Sequence, residues 1–240
     1  MTTADGPSGA DGWVAADRRD TGSAVRVGPA RTRRRPRGPG RLLPLGGPAD
    51  GAWITERAAV AVLRSAVTGP DPGPVLGAVR ISAAGPEATP GAAPGALRIE
   101  AAMAAVAGRP LPESAGALRA ALLAAADQRL GLVIGAVDLR VTDLLDAAPD
   151  TPAPVTDPEV HGVRAQGALE EAAAGAWGVV TLTRTPGHTA RRGLEGARIE
   201  LAADADHRAL DVARAVRGAV AAVTGAPPVA VLVTAVVGRD

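Results

Sequence analysis

The chain has 240 residues and a formal net charge of +1, with no Cys, Tyr, Phe, Lys or Asn. Without cysteine there is no disulfide, no thiolate nucleophile and no Cys-ligated zinc or iron–sulfur centre. Without lysine there is no Schiff base and no phosphate-loop lysine, so an enzyme of this composition is confined to Asp, Glu, Arg, Ser, Thr and three His.

The missing residues share AT-rich codons, which reads as the mark of a high-GC bacterial genome rather than a functional choice. The small net charge hides an asymmetry: residues 1–41 carry nine Arg against four Asp, and the remainder carries 17 Arg against 21 acids. That first segment has no helical or strand period and no apolar signal core, so it is expected to be a disordered tail. Arg31, Arg33, Arg34, Arg35 and Arg37 cluster within it and could pair with phosphates of nucleic acid or anionic lipid. No aromatic residues are interleaved to stack on bases, which favours a solvated leader.

Order is expected to begin near Leu42. Thr55 is placed to cap a helix to about Val67, with Ala58, Val62 and Ala66 four apart. A short strand over 78–83 and a Pro-rich loop over 85–96 follow, and LRIEAAMAAV predicts a longer strand over 97–106. Pro110, Leu111, Pro112 and Glu113 open a second helix with Leu118, Leu122 and Ala125 on its apolar face, ended by Gly131. A strand over 134–145 turns Val137, Leu139 and Val141 one way. Residues 146–160, with four prolines and four acids, read as a linker.

The order then repeats: a helix near 162–174, a strand over 177–183, a Gly/Arg loop over 185–196, and a strand at ARIELAAD. Asp204 and Asp206 offer caps for a helix whose Leu210, Ala213, Val216, Val220 and Val223 form one stripe. Arg208, Asp211, Arg214 and Arg217 fall away from that stripe, so they are the residues expected to meet a partner. Gly225, Pro227 and Pro228 stop this helix, and a last strand, VAVLVTAVV, closes the unit. Residues 218–238 carry no charge over 21 positions, but their central Gly-Ala-Pro-Pro reads as a helix, turn and strand rather than a membrane span.

Residues 97–100 match 197–200, residues 118–122 match 216–220, and Val141-Thr142 matches Val233-Thr234. The expected fold is therefore α+β, built as two tandem helix-strand-strand-helix-strand repeats over 42–145 and 161–240, each a small sheet with helices on one face.

VARAVRGAVAAVTG followed by VAVLVTAV resembles the signature helix and last strand of the alkaline-shock-protein family, and Gly108 to Glu113 resembles that family's strand-to-helix turn. The resemblance covers about residues 54–145 and 160–237. It implies a non-enzymatic scaffold or protein-binding domain at the cytoplasmic side of the envelope, recruited by a membrane partner, with no catalytic residues to carry over. GRLLPLGGPADGAWITERAAVAVLR is similar to the opening of an uncharacterised family of high-GC Gram-positive bacteria labelled nucleopolyhedrovirus p-ten. That label implies a filament-forming coiled coil, and this chain has no sustained heptads. The family passes more briefly from its Asp-Gly-Trp to this motif, whereas here an Arg-rich insert follows Asp11-Gly12-Trp13.

The chemical motifs are sparse. His161, His188 and His207 make no metal spacing; Asp204, Asp206 and His207 could hold a cation, but helix capping accounts for both acids. Arg184, His188, Arg191 and Arg192 read as an exposed basic loop. Arg98 and Arg198 are expected to form cross-strand ion pairs with Glu100 and Glu200, each worth little at a surface. No cofactor or metal is called for. The expected function is a cytoplasmic interaction or scaffold module working with a protein partner, with nucleic-acid binding through the Arg-rich tail as the alternative. An enzyme using Asp, Glu or His between the repeats is a third reading.

Overall fold

The computed structural model describes residues 41–68, 73–83, 96–147, 160–184, 198–225 and 229–238, all within one compact unit, Pro36–Asp240. The architecture is α+β, with four α-helices and nine strands in two mixed sheets among the described residues.

In chain order, β1 (Leu42–Leu45) and β2 (Ala52–Thr55) flank a 3-10 turn (Pro48–Asp50), and α1 (Glu56–Val67) follows directly. Then come β3 (Val75–Ala83), β4 (Leu97–Val106), α2 (Leu111–Ala125), a π-helical turn (Ala126–Leu130) and β5 (Ile134–Leu145). The remainder is β6 (Gly162–Val163), α3 (Ala168–Ala174), β7 (Val179–Thr183), β8 (Arg198–Asp204), α4 (Ala209–Thr224) and β9 (Ala230–Val237).

Local signals place most of these elements. The Thr55 hydroxyl accepts from the Ala58 amide at 3.2 Å, capping α1. β4 alternates buried and less buried residues along its length, as its period of two requires. Leu118, Leu122 and Ala125 are buried on α2. Gly131, at φ +83, accepts the left-handed turn that ends the π-helical segment.

The six-stranded sheet runs β1-β2-β9-β8-β7-β6 and the three-stranded sheet β3-β4-β5. β2 lies parallel to β9, so residues 42–55 enter the same sheet as residues 162–237. Leu43, Ile54, Val233, Leu201, Leu182 and Val163 stand opposite one another in a single row across all six strands. A second row runs Leu45, Ala52, Val231 and Ile199. These residues share one hydrophobic cluster with Ala58, Val62 and Leu63 of α1 and Leu210, Ala213 and Val216 of α4. Each large side chain fully buried there contributes about 1.5–3 kcal/mol. Since α1 touches β2 and β9 of one sheet and β3 of the other, it joins the two sheets to one core.

The two sheets share a pairing scheme. β4 is antiparallel to β3 and parallel to β5, with α2 in the crossover; β8 is antiparallel to β7 and parallel to β9, with α4 in the crossover. Both of these crossover pairs carry a bulge on a threonine. Met103 faces Val141 and Ala104 faces Asp143, leaving Thr142 as the extra residue; Leu201 faces Val233 and Ala202 faces Ala235, leaving Thr234. Each hydroxyl donates across the strands, Thr142 to the Met103 carbonyl at 3.3 Å and Thr234 to the Leu201 carbonyl at 3.0 Å. The Thr234 carbonyl in turn accepts from the Thr55 hydroxyl at 3.2 Å, so the α1 cap is tied to the β9 bulge.

Several local details differ from expectation. The 162–174 segment is a two-residue strand and a shorter helix, because Gly167 at φ +89 interrupts the helical backbone. The stripe of α4 ends at Val220, and Val223 in the last turn is exposed. Asp204 and Asp206 do not cap α4: its N-cap is Arg208, which makes no side-chain cap bond, while the buried Asp204 carboxylate accepts from the Asp206 amide at 3.0 Å. That carboxylate holds the strand-to-helix turn instead. No helix among the described residues is long and apolar enough to cross a membrane.

Candidate interaction surface

The charged side of α4 is where the sequence points first, and its arginines are engaged within the chain. Arg208 reaches the π-helical turn, where Nε donates to the Asp127 carbonyl at 2.7 Å and a terminal nitrogen meets the Asp127 carboxylate at 2.9 Å. Arg214 Nε donates to the Asp50 carboxylate at 2.8 Å and its other arm approaches Asp211 at 3.4 Å. Arg217 donates to the carbonyls of Ala49, at 2.8 Å, and Asp50, and its guanidinium lies against Gly51, where a β-carbon would sit 3.1 Å from Cζ. These side chains therefore fasten α4 to the β1–β2 turn and to the end of α2.

The fastening is close. The Gly46 amide donates to the Gly131 carbonyl at 2.9 Å, and Leu210 at the start of α4 packs on both glycines. Asp50 is held below the usual carboxylate range, first by the Arg214 hydrogen bond and then by the Gly47 amide, with burial opposing. The same pairing raises Arg214. A carboxyl group depressed on folding stabilises fully above its unfolded value, near 4, and that contribution disappears as pH falls through the folded value. Asp50→Asn should therefore cost about 1 kcal/mol or less at neutral pH, given the exposed Arg214, with the deficit shrinking below about pH 4. Urea titrations of both proteins at pH 7 and pH 3 measure it, and an unchanged deficit at pH 3 would contradict the assignment.

The other sequence candidates lie apart. Trp177 stacks on His207 with ring centroids 4.0 Å apart and planes at 29°, seated by Gly178 at φ +76, whose carbonyl accepts from the Asp204 amide. Arg184 approaches Glu170 at 3.7 Å. Arg98 pairs with Asp138 across β4 and β5, whereas Arg198 pairs with Glu200 two residues along its own strand rather than across strands. Alternate residues of a strand share a face, which brings that second pair together. His188, Arg191 and Arg192, and the tail residues Arg31, Arg33, Arg34, Arg35 and Arg37, lie outside the described residues. Among the described residues no group of three His, Asp or Glu is placed to hold a metal ion.

Large apolar side chains are also exposed on α2 and β5. Leu111 and Leu123 on α2, Val133 before β5, and Val141 and Leu144 on β5 are all exposed. Val141 was expected beside the buried Val137, but it is 46% exposed, and Leu144 is 64% exposed. Every residue from Arg140 to Leu144 is exposed, so the second half of this edge strand stands clear of the core on both faces. Hydropathy could not separate this half from the better-covered first half, because Val and Leu recur in both. Comparison with known protein families, curated proteins and solved structures finds no match to this chain.

Proposed function

We propose that this chain is a non-enzymatic interaction or scaffold module that binds a protein partner through the α2–β5 flank. The observation that carries the reading is the exposure of Leu111, Leu123, Val133, Val141 and Leu144 on one helix and the segment that follows it. α2 and β5 pack on one another, and exposed apolar side chains on adjoining elements favour a protein contact. The arginines of α4, first expected to meet the partner, already have acceptors at Asp127, Asp50 and Ala49, which moves the proposed contact to the flank.

An internal duplication with the alkaline-shock-like element order accompanies this reading. Its support is the threonine bulge, which falls at Thr142 and Thr234 with the same hydroxyl-to-carbonyl bond. In this alignment Ile99 lies four residues before the bulge partner Met103 and Ile199 two before Leu201, so the Arg-Ile-Glu triplets are offset by two and keep the same face. The resemblance supports a place at the cytoplasmic side of the envelope.

The test is photo-crosslinking in native cells from a reactive amino acid at Leu144 or Leu111, with one at Arg214 as reference, followed by separation of membrane and soluble fractions. A discrete protein adduct from the flank positions, lost when Val141→Asp is added, is the expected result. Adducts only from Arg214, only to nucleic acid, or none from the flank would overturn it.

A further inference from the structure

β5 is twelve residues long and has no strand beyond it among the described residues. The corresponding edge of β9 is filled by β2, with the Val231 amide donating to the Gly51 carbonyl at 3.1 Å. An open edge rich in Val and Leu is a template for pairing with another chain unless something blunts it.

The register tells which backbone groups of β5 face outward. Leu97 donates to the Val133 carbonyl and Ala107 to the Leu145 carbonyl, and the Met103 carbonyl accepts from Thr142, so odd-numbered residues of β4 turn toward β5. In a parallel pair the residue directly opposite such a position points its own amide and carbonyl away. Val137, opposite Ile99, and Leu144, opposite Ala105, therefore present theirs on the free edge. At both places a side chain of the same chain already occupies the group. Arg119 Nε, from α2, donates to the Val137 carbonyl at 3.4 Å, and the Asp143 carboxylate accepts from the Leu144 amide at 2.9 Å.

We propose that Arg119 and Asp143 guard the β5 edge of the three-stranded sheet against strand pairing with a second copy of this chain. One satisfies an outward acceptor and the other an outward donor, at the two ends of the stretch where exposed Val141 and Leu144 would otherwise reward pairing. A second β5 approaching this edge must displace a guanidinium and a carboxylate, and it brings its own pair of charges with it. The guard acts on the backbone edge and stands whether or not the neighbouring side chains take a partner.

The test is sedimentation velocity of the full chain and of the Arg119→Ala/Asp143→Ala variant over a hundredfold range of concentration, with circular dichroism to verify the fold. The double variant should at least double its weight-average mass relative to the parent at the highest concentration. Adding Leu144→Pro should return it to the parent value, because that amide faces outward and its removal leaves the β4 pairing intact. Asp143→Ala alone, which removes only an exposed side chain, supplies the same readout should the double variant lose its fold. A folded variant with the mass of the parent at every concentration, or association that persists with proline at 144, would overturn the proposal.

Discussion

Replacing Gly131 with alanine should destabilise the fold by about 2–5 kcal/mol, the sum of a left-handed backbone strain and a local overpacking cost. Gly131 sits at φ +83, and a β-carbon there would meet Leu210 Cβ at 2.5 Å and Cδ2 at 2.9 Å. Neither side can retreat easily. The Gly131 carbonyl accepts from Gly46, and Leu210 is buried at the start of α4. Gly108→Ala separates the two costs: its φ is +92, but a β-carbon there meets nothing within 4 Å, so only about 1–2 kcal/mol of backbone strain is expected. Urea midpoints for the two variants measure the difference. Equal losses would mean that the three-way contact of Gly46, Gly131 and Leu210 does not form.

The second large effect is expected at Ile54. It is fully buried in the row between Leu43 and Val233, and Ile54→Ala should cost about 2–5 kcal/mol, the usual range for emptying a core site. Its location makes the result informative. Ile54 belongs to a four-residue strand far from β9 in sequence, and a loss of this size follows only if β2 is part of the common core. Tryptophan fluorescence and far-ultraviolet circular dichroism should report the same shifted transition, as expected for one cooperative unit. A loss below about 0.5 kcal/mol, the scale of surface substitutions, would place β2 outside the core.

The contrast between Thr55 and Ile54 shows how much of this fold was legible in the sequence. The cap at Thr55, the proline-led start of α2, the glycine stop at 131 and the alternation of β4 are signals carried within a few residues, and each element lies where its signal put it. Parallel pairing of β2 with β9 leaves no such mark, because the partners of Ala52, Trp53 and Ile54 are Val231, Leu232 and Val233 at the other end of the chain. The strand AWIT is also too short to display a period.

The surface followed the same logic. The helical period correctly turned Arg208, Arg214 and Arg217 away from the stripe of α4, but it carries no information about what else lies on that side. Asp127 and Asp50, brought there by the π-helical turn and the β1–β2 turn, pair with Arg208 and Arg214 within the chain. In β5 the period placed Val137, Leu139 and Val141 on one face, and only Val137 is buried. Alternation reports which residues share a face, not how far along the strand the cover extends.

The most direct test of this architecture is a nuclear Overhauser measurement between β2 and β9 on the isotopically labelled full chain. Cross-peaks linking Trp53 and Ile54 with Leu232 and Val233 in a parallel pattern, together with slow exchange of the paired amides, are the predicted result. Contacts of β9 with β8 alone, with the amides of residues 52–55 exchanging at open-chain rates, would contradict it.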